Sequence, residues 1–365
     1  MSGCSTRQRP PVPERLLVPP FRPRPPWWGA DLQTLRDTVR PPQFPIDRGM
    51  PLPIAIAAGE QLLALHDRPA AAEPLGLVVL LHGLGGSSQA TGVRRLALAL
   101  QQAGFAVLRL NLRGAGAGRA LARGTYAAHC NSDLQPALAL ARQLAGERPL
   151  FGVGFSLGGT VLLNAVLGAS TPQSGLDGLV VISSPLDLAA CSASIGRPRN
   201  RLYERWLVRA LRRQTLADPH GISPRERRGL PDVGSIRDFD ALITAPRWGF
   251  ASAEAYYATA SPLPQLLELA SGGPASTEAQ EQAQAPLPPT LVVQALDDPW
   301  VPAAPAVALA QAAPPGLQVV LTGGGGHNGF HAAGGSWSDQ LTLRWLKQQV
   351  LAEQRLKQQA QTECA

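Results

Sequence analysis

The chain has 365 residues, of which 45% are hydrophobic and only 16% are charged. This composition supplies enough apolar surface for a folded core and excludes a polypeptide that is disordered throughout. The net charge of +7 comes from 33 basic and 26 acidic residues, and with no recognisable RNA- or DNA-binding module it does not indicate a nucleic-acid partner.

The cysteines and the N-terminal residues indicate where in the cell the protein is located. Four cysteines lie far apart and form no C-x-x-C pair: Cys4, Cys130, Cys191 and Cys364. This spacing argues against a disulfide framework or a zinc knuckle and is typical of a reducing compartment. No apolar stretch of signal-peptide length follows the first residues, so a secretory signal is not expected. A cytoplasmic location is predicted, with peripheral membrane contact as an open alternative.

The first half of the chain predicts an arm followed by an α/β core. Residues 1–50 are rich in Pro and Arg and predict an extended arm without a core of its own. Residues 51–184 form the first part of the core, because apolar runs with little alternation predict strands of a parallel sheet covered by helices on both faces. Strands are predicted over 52–56, 61–66, 75–81, 105–110, 149–154 and 176–182, and helices over 90–103, 132–145 and 157–167.

The alternation of strands and helices stops at residue 185. Residues 185–286 are Arg-rich and helical in places, and they predict an inserted lid subdomain whose Ala/Gln-rich part, 271–285, looks like an insertion. The core resumes over 287–358, and 359–365 form a C-terminal tail. Because the chain returns to the same sheet, the pattern predicts one α/β domain with an insert. The resumed core has predicted strands at 290–295 and 317–322 and helices at 303–312 and 336–358.

A candidate nucleophile lies in the uncharged stretch 150–170. The stretch is long enough to span a membrane, but it carries Ser156 and Asn164 and is interrupted by Gly152, Gly154, Gly158 and Gly159, so a buried strand, a tight turn and a buried helix are predicted. Residues 154–158 read G-F-S-L-G across that turn. A nucleophilic serine, here Ser156, needs such a turn to project its Oγ from the sheet edge, and the flanking glycines remove β-carbons that would collide.

Two backbone N–H groups are the candidate oxyanion donors. The N–H of Leu157 begins the helix after the serine, where the helix dipole adds to its attraction for negative charge. Residues 82–86, H-G-L-G-G, follow an earlier strand, and the N–H of Leu84 is the second candidate. The alternatives for this second loop are a plain glycine-rich turn and a phosphate-binding loop, although the G-x-x-x-x-G-K-[ST] motif is absent.

Serine is a poor nucleophile unless a histidine accepts its proton and an acid orients that histidine. With a strand–turn–helix nucleophile motif, the chain order is Ser, acid, His. Asp297 and Asp298 follow the strand at 290–295, and His327 follows the next strand within G-G-G-G-H-N-G-F-H. We predict Asp298, in D-x-x-V-P, as the acid and His327 as the base. Asp297 and His331 are the alternatives.

A metal site is a further interpretation of the same loop. His327 and His331 have H-x-x-x-H spacing, but Asn328 stands where the zinc-protease motif requires Glu, and no acid lies close by in the sequence. We therefore expect neither a metal nor a cofactor. The other histidines have no place in the Ser–acid–His order and are interpreted as structural: His66, His82, His129 and His220.

Several motifs together resemble the YheT-like branch of the α/β-hydrolase superfamily, bacterial relatives of eukaryotic esterases and of acylglycerol or phospholipid hydrolases. They are D-L-Q-T at 31–34, H-G-L-G-G at 82–86, N-L-R-G at 111–114, G-F-S-L-G-G at 154–159, S-I-R-D-F-D at 235–240, Tyr-Tyr at 256–257, D-D-P at 297–299 and G-G-H-N-G-F at 325–330. The resemblance implies an α/β-hydrolase fold and a serine hydrolase with Ser156, Asp298 and His327 as its triad, acting on carboxylic esters. The chain departs from the branch at Asp31, where His is expected, and at Thr160, where many relatives have Asn.

The predicted activity is hydrolysis of short- to medium-chain acyl esters or acylglycerols through an acyl-enzyme on Ser156. Acyl transfer to an alcohol and a non-catalytic binding protein of the same fold are the alternatives. The expected partner is a small-molecule ester or lipid. Residues 201–213 predict a lid helix with a solvated basic face, for which contact with anionic lipid is the alternative.

Overall fold

An eight-stranded sheet lies at the centre of the computed structural model, which describes residues 16–69, 71, 73–168, 175–271 and 287–363. The strands lie in the order β1-β2-β4-β3-β5-β6-β7-β8. β1 pairs antiparallel with β2, and β2 with β4, whereas all the other neighbouring strands pair parallel. The predicted α/β fold with a mostly parallel sheet is confirmed. The strands are β1 Met50–Ala55, β2 Gln61–Asp67, β3 Leu77–Leu81, β4 Ala106–Asn111, β5 Leu150–Phe155, β6 Gly178–Ile182, β7 Thr290–Ala295 and β8 Leu317–Thr322.

Strand β3 illustrates why helices cover both faces of the sheet. All five of its residues are buried. Its odd-numbered residues belong to one apolar cluster, with α3 (Asn131–Ala145) and α4 (Leu157–Leu167). Its even-numbered residues belong to another, with α2 (Thr91–Gln102) and the final helix, Trp337–Glu363. Because side chains alternate along a strand, one uninterrupted apolar run supplies two cores.

The parallel register brings several loops to one edge of the sheet. The last residue of β5, Phe155, pairs with Ile182 at the end of β6, and Ile182 in turn pairs with Val293 in β7. The loops that follow these strands therefore leave from the same edge, where open α/β sheets place their sites.

The insert follows β6, and its described part, residues 185–271, is predominantly helical. It has a small apolar cluster of its own, formed by Val208, Leu211, Leu230, Val233, Phe239 and Ile243. Apart from residue 271, the Ala/Gln-rich stretch lies outside the described residues. The helices are Leu188–Ile195, Arg201–Leu216, Pro224–Gly229, Ile236–Phe239, Ala245–Arg247, Ala253–Ala260 and Leu263–Ala270, with a π-helical turn at Asp240–Thr244. The helix Ala304–Ala312 then connects β7 with β8.

The expectation of an extended arm is wrong for residues 30–39, which form helix α1 (Ala30–Val39). Gln33 is its only buried residue, 1% exposed. The Gln33 side-chain amide donates hydrogen bonds to the carbonyl oxygens of Trp27 and His331 and accepts one from the N–H of His331. Because α1 docks through a polar side chain, it lacks the apolar stripe by which amphipathic helices are recognised in a sequence.

Replacing Gln33 with Leu should destabilise the fold, because the buried N–H of His331 then loses its partner. We expect the free energy of unfolding to fall by about 1–3 kcal/mol, measured by urea denaturation. Leu32→Ala is the matched control, since Leu32 is 46% exposed on the same helix. It should change the stability by about 0.5 kcal/mol or less. Equal losses in the two variants would contradict an anchoring role for Gln33.

Candidate active site

The turn between β5 and α4 holds Ser156 in a rare backbone conformation, with φ 52° and ψ −127°. The N–H of Ser156 donates to the carbonyl oxygen of Ile182, which ties the turn to the neighbouring strand. A β-carbon at Gly154 would lie 2.3 Å from the nitrogen of Gly159, and one at Gly158 would lie 2.6 Å from the carbonyl oxygen of His82. The glycines of G-F-S-L-G therefore allow the close backbone approach that the sharp turn requires.

Three side chains from three loops form one hydrogen-bonded line. His327 Nε2 lies 3.1 Å from Ser156 Oγ, and His327 Nδ1 lies 2.9 Å from Asp298 Oδ2. The side chains of His327 and Asp298 are 4% and 0% exposed. The structure thus brings together the serine, the histidine and the aspartate selected from the sequence, at distances that permit proton transfer between serine and histidine.

The two neighbouring aspartates make different contacts. Asp298 Oδ1 accepts hydrogen bonds from the N–H groups of Trp300 and Val301, at 2.8 and 2.9 Å, which leaves Oδ2 directed at the imidazole. Asp297 instead accepts a 2.8 Å hydrogen bond from the N–H of Gly326. Burial raises the pKa of Asp297 above its usual value. Asp298 therefore contacts the imidazole of His327, and Asp297 fixes the backbone at Gly326, the residue before it.

The arm supports the histidine loop from the other side. The N–H of His327 donates to Thr34 Oγ1, which itself donates to the carbonyl oxygen of Ala30, both at 2.8 Å. A β-carbon at Gly326 would lie 2.4 Å from that carbonyl oxygen. The backbone of the helix therefore approaches the loop too closely for any residue but glycine at this position. Thr34 lies in D-L-Q-T at 31–34, a motif of the family resemblance, but its contact with His327 was not evident from the sequence.

Trp300 packs against the histidine ring. The two rings stack with their centroids 4.4 Å apart and an interplanar angle of 24°. The stack restricts rotation of the imidazole, and the indole face also attracts the ring when it becomes positively charged. Trp300 lies within D-x-x-V-P, but its role was not evident from that motif.

The two candidate oxyanion donors, Leu84 and Leu157, line the same cavity as Ser156. Within the described ranges, neither of their backbone N–H groups donates a hydrogen bond to another protein group. Both N–H groups thus lack a protein acceptor in the described part of the chain, and their assignment as oxyanion donors stays a prediction.

Tyr126 and His82 hold the loop that carries Leu84. The Tyr126 hydroxyl accepts a hydrogen bond from the N–H of Gly85, at 2.7 Å, and donates to the carbonyl oxygen of Gly83. His82 Nδ1 lies 2.9 Å from the same carbonyl oxygen, and Nε2 accepts from the N–H of Leu112. Burial lowers the pKa of His82 to about 4, so its ring is neutral at physiological pH. These contacts agree with a structural role for His82.

A cavity of about 460 Å³ opens beside Ser156 and His327. Its walls come from the core, the arm and the insert, and its volume lies in the range of small-molecule binding sites. The insert contributes much of the apolar wall, so the cavity forms between the insert and the sheet edge. Aromatic side chains on this wall include Trp206, Phe239, Tyr256 and Tyr257.

The alternative site predictions find less support. His331 Nε2 lies 3.7 Å from Asp37 Oδ1, and burial lowers the pKa of His331 to about 4. Its hydrogen bonds and ion pair do not include Ser156. Over the described ranges, no group of three or more His, Cys, Asp or Glu side chains could hold a metal ion. The same part of the chain has no helix that is long and apolar enough to cross a membrane.

The fold and this edge of the sheet define an α/β hydrolase. Residues 76–333 match the family described as the alpha/beta hydrolase fold, and the chain belongs to this family. It is similar to YheT of Escherichia coli (strain K12), whose name assigns it provisionally to the esterases, with 31% identity over 271 residues that cover 73% of this chain and 74% of that protein. The predicted family resemblance is confirmed.

Other relatives carry the names of lipid-cleaving enzymes. Human phospholipase ABHD3 is 27% identical over 281 residues, which cover 75% of this chain and 63% of that protein. A solved soluble variant of the monoglyceride lipase from Saccharomyces cerevisiae has a TM-score of 0.56 at 16% identity, covering 85% of this chain and 98% of that one, and supports the fold alone. The family of this chain is thus of the esterase and lipase type.

The different contacts of Asp298 and Asp297 predict different effects of their amide variants on the reaction of Ser156 with a fluorophosphonate probe. Asp298→Asn should slow labelling by about 10³- to 10⁴-fold, the order found when the acid of a serine triad becomes an amide. Asp297→Asn keeps an acceptor oxygen for the N–H of Gly326, so it should slow labelling less than about tenfold. The rates are measured by gel fluorescence over time. If Asp297→Asn slowed labelling more than Asp298→Asn did, Asp297 and not Asp298 would be the acid that orients His327.

Proposed function

We propose that the protein is a serine hydrolase that cleaves carboxylic esters through an acyl-enzyme on Ser156. The observation that carries the proposal is the line of hydrogen bonds from Asp298 through His327 to Ser156, at the wall of a largely apolar cavity. Such a site combines a nucleophile, a base and an orienting acid with space for an acyl chain. The names of the similar proteins support esters as the substrate class.

The proposed reaction has two halves. Ser156 Oγ attacks the ester carbonyl carbon while His327 Nε2 takes its proton, and the same nitrogen then protonates the departing alcohol. A water molecule next attacks the acyl carbon and gives a proton to Nε2, which returns it to Ser156 as the acid leaves. Asp298 holds Nδ1–H throughout and stabilises the imidazolium that forms in each half. In both halves, the N–H groups of Leu84 and Leu157 bind the carbonyl oxygen when it becomes negative.

The wall of the cavity favours short- to medium-chain acyl groups. Its aromatic and aliphatic residues can bury a hydrocarbon chain, and its volume of about 460 Å³ limits the length that fits inside. The insert covers the cavity, and we propose that it acts as the lid of the enzyme.

Ser156→Ala should abolish turnover of p-nitrophenyl esters, tested over a series from acetate to palmitate. We expect kcat/KM to fall by about 10⁴-fold or more, because the covalent step is lost. The wild-type protein should prefer acyl chains of intermediate length. Ser132→Ala is the control, since Ser132 is exposed on another part of the core and should not affect turnover. Ester cleavage retained by a folded Ser156→Ala protein would contradict the proposal.

Acyl transfer to an alcohol would use the same residues, so the products distinguish it from hydrolysis. With an alcohol added at millimolar concentration, hydrolysis yields mainly the free acid, whereas a transferase yields mainly the new ester. Failure of a fluorophosphonate to label Ser156 in folded protein would favour the non-catalytic alternative.

We also propose that the helix Arg201–Leu216 brings the cavity to an anionic lipid surface. Leu202 and Trp206 are 81% and 56% exposed, and Arg205 and Arg209 are exposed beside them. Trp206 also lines the cavity, so this exposed face lies next to the substrate site. Apolar side chains flanked by arginines are typical of helices that lie in a membrane interface.

Arg205→Gln combined with Arg209→Gln should weaken binding to vesicles that contain phosphatidylserine. Each basic residue near such a surface contributes about 1 kcal/mol, so we expect the double variant to bind roughly 30-fold more weakly. Co-sedimentation with anionic and with neutral phosphatidylcholine vesicles measures the difference. Hydrolysis of a water-soluble ester should stay unchanged in the variant. Equal binding of the wild type to both kinds of vesicle would exclude the electrostatic contact.

A further inference from the structure

Asp240 is an acidic residue of the insert that faces the active-site cavity. It begins the π-helical turn Asp240–Thr244 and lines the same cavity as Ser156. Such turns are rare and are frequent at functional sites. The hydroxyls of Thr244 and Tyr257 bond the Asp240 carboxylate, and no ion pair joins it to a basic residue in the described ranges. A carboxylate that faces an apolar cavity without a cation is costly, so it requires an explanation.

The groups around Asp240 are hydroxyls. Tyr257 donates a 2.8 Å hydrogen bond to Asp240 Oδ2, and the Thr244 hydroxyl also bonds the carboxylate. Ser192 Oγ lies 3.2 Å from the Tyr257 oxygen. An ionised carboxylate offers about four acceptor positions, so these two donors leave roughly half of them unused. Burial raises the pKa of Asp240 to about 6, as expected for a carboxylate with incomplete solvation.

Cys191 lines the same cavity as Asp240 and Ser156. Burial raises the pKa of the Cys191 thiol, and the negative charges of Asp298, Asp187 and Asp240 raise it further. Its sulfur also lies 3.7 Å from the carbonyl oxygen of Trp300, whose ring stacks on His327. Asp240, Cys191, Ser156 and His327 all line this cavity, so a substrate bound in it can contact both Asp240 and the catalytic side chains.

We propose, on the basis of the proposed function, that Asp240 binds a hydroxyl group in the alcohol portion of the ester. The acyl portion is a hydrocarbon in the proposed reaction, so a polar group is expected on the alcohol side. The substrate hydroxyl donates to an unused acceptor position of Asp240, with Tyr257 holding the carboxylate in place. Esters of polyols, such as partial glycerides, are then preferred over esters of simple alcohols. The carboxylate already accepts hydrogen bonds from the neutral hydroxyls of Tyr257 and Thr244, and a substrate hydroxyl would be a donor of the same kind.

The test compares two esters of the same acid, monodecanoylglycerol and pentyl decanoate, which differ mainly in the hydroxyls of the alcohol. Asp240→Asn keeps an acceptor oxygen for Tyr257 but removes the charge. We expect the ratio of the two kcat/KM values to fall about tenfold or more in this variant, because a site built to bind a hydroxyl discriminates strongly against its absence. The kcat/KM for pentyl decanoate should change little. Asp232→Asn, at an exposed position of the insert, should leave both values unchanged.

The outcomes separate this inference from the proposed function. An equal loss on both esters in a folded Asp240→Asn protein would assign Asp240 a structural role and overturn the inference. If Asp240→Asn lowered kcat/KM more for the 3-(dimethylamino)propyl ester of decanoic acid than for monodecanoylglycerol, the inference would be overturned in favour of a cationic ligand. If the wild type cleaved none of the three esters, nor any p-nitrophenyl ester, the proposed function would fail as well.

Discussion

The line of hydrogen bonds from Asp298 to Ser156 imposes a geometric demand on the whole chain. Ser156 follows β5, whereas His327 follows β8, and two strands lie between them in the sheet. With neighbouring strands about 4.8 Å apart, the histidine loop has to cross roughly 14 Å of sheet edge. The loop after β6 supports this crossing, because Ser183 Oγ accepts a hydrogen bond from the N–H of Asn328. The glycines before His327 allow the remaining contacts.

The N-terminal arm also holds the histidine loop in place across the sheet edge. Thr34 holds the backbone of His327, and Gln33 holds that of His331, so both ends of the loop are tied to one short helix. Asp297 adds a third bond, at Gly326. An imidazole that has crossed the sheet edge would be poorly oriented without such support, and catalytic groups depend on their orientation. The described part of the arm, residues 16–50, thus supports the site and supplies no member of the Ser156–His327–Asp298 line.

The insert gives the site its enclosure and its polarity. Its helices supply much of the apolar wall of the cavity, while Asp240 and Tyr257 add a polar pair within it. Family membership fixes neither the size of the cavity nor its polar groups, because one fold serves many substrates. In the proposed function, the chemistry of the reaction and the choice of ester therefore depend on different parts of the chain, the first on the sheet edge and the second on the insert.

The sequence by itself determined the sheet, the order of its elements and the three residues of the hydrogen-bonded line. Apolar runs and glycine-flanked turns are local signals, and the order Ser, acid, His follows from the chain alone. It also favoured Asp298 over Asp297, although only the coordinates distinguish a bond to the ring from a bond to the loop. The helix of the arm, the contacts of Thr34 and Trp300 with His327, and the place of Asp240 in the cavity were decided by the tertiary structure. They depend on how separate segments of the chain pack together, and no local pattern records such packing.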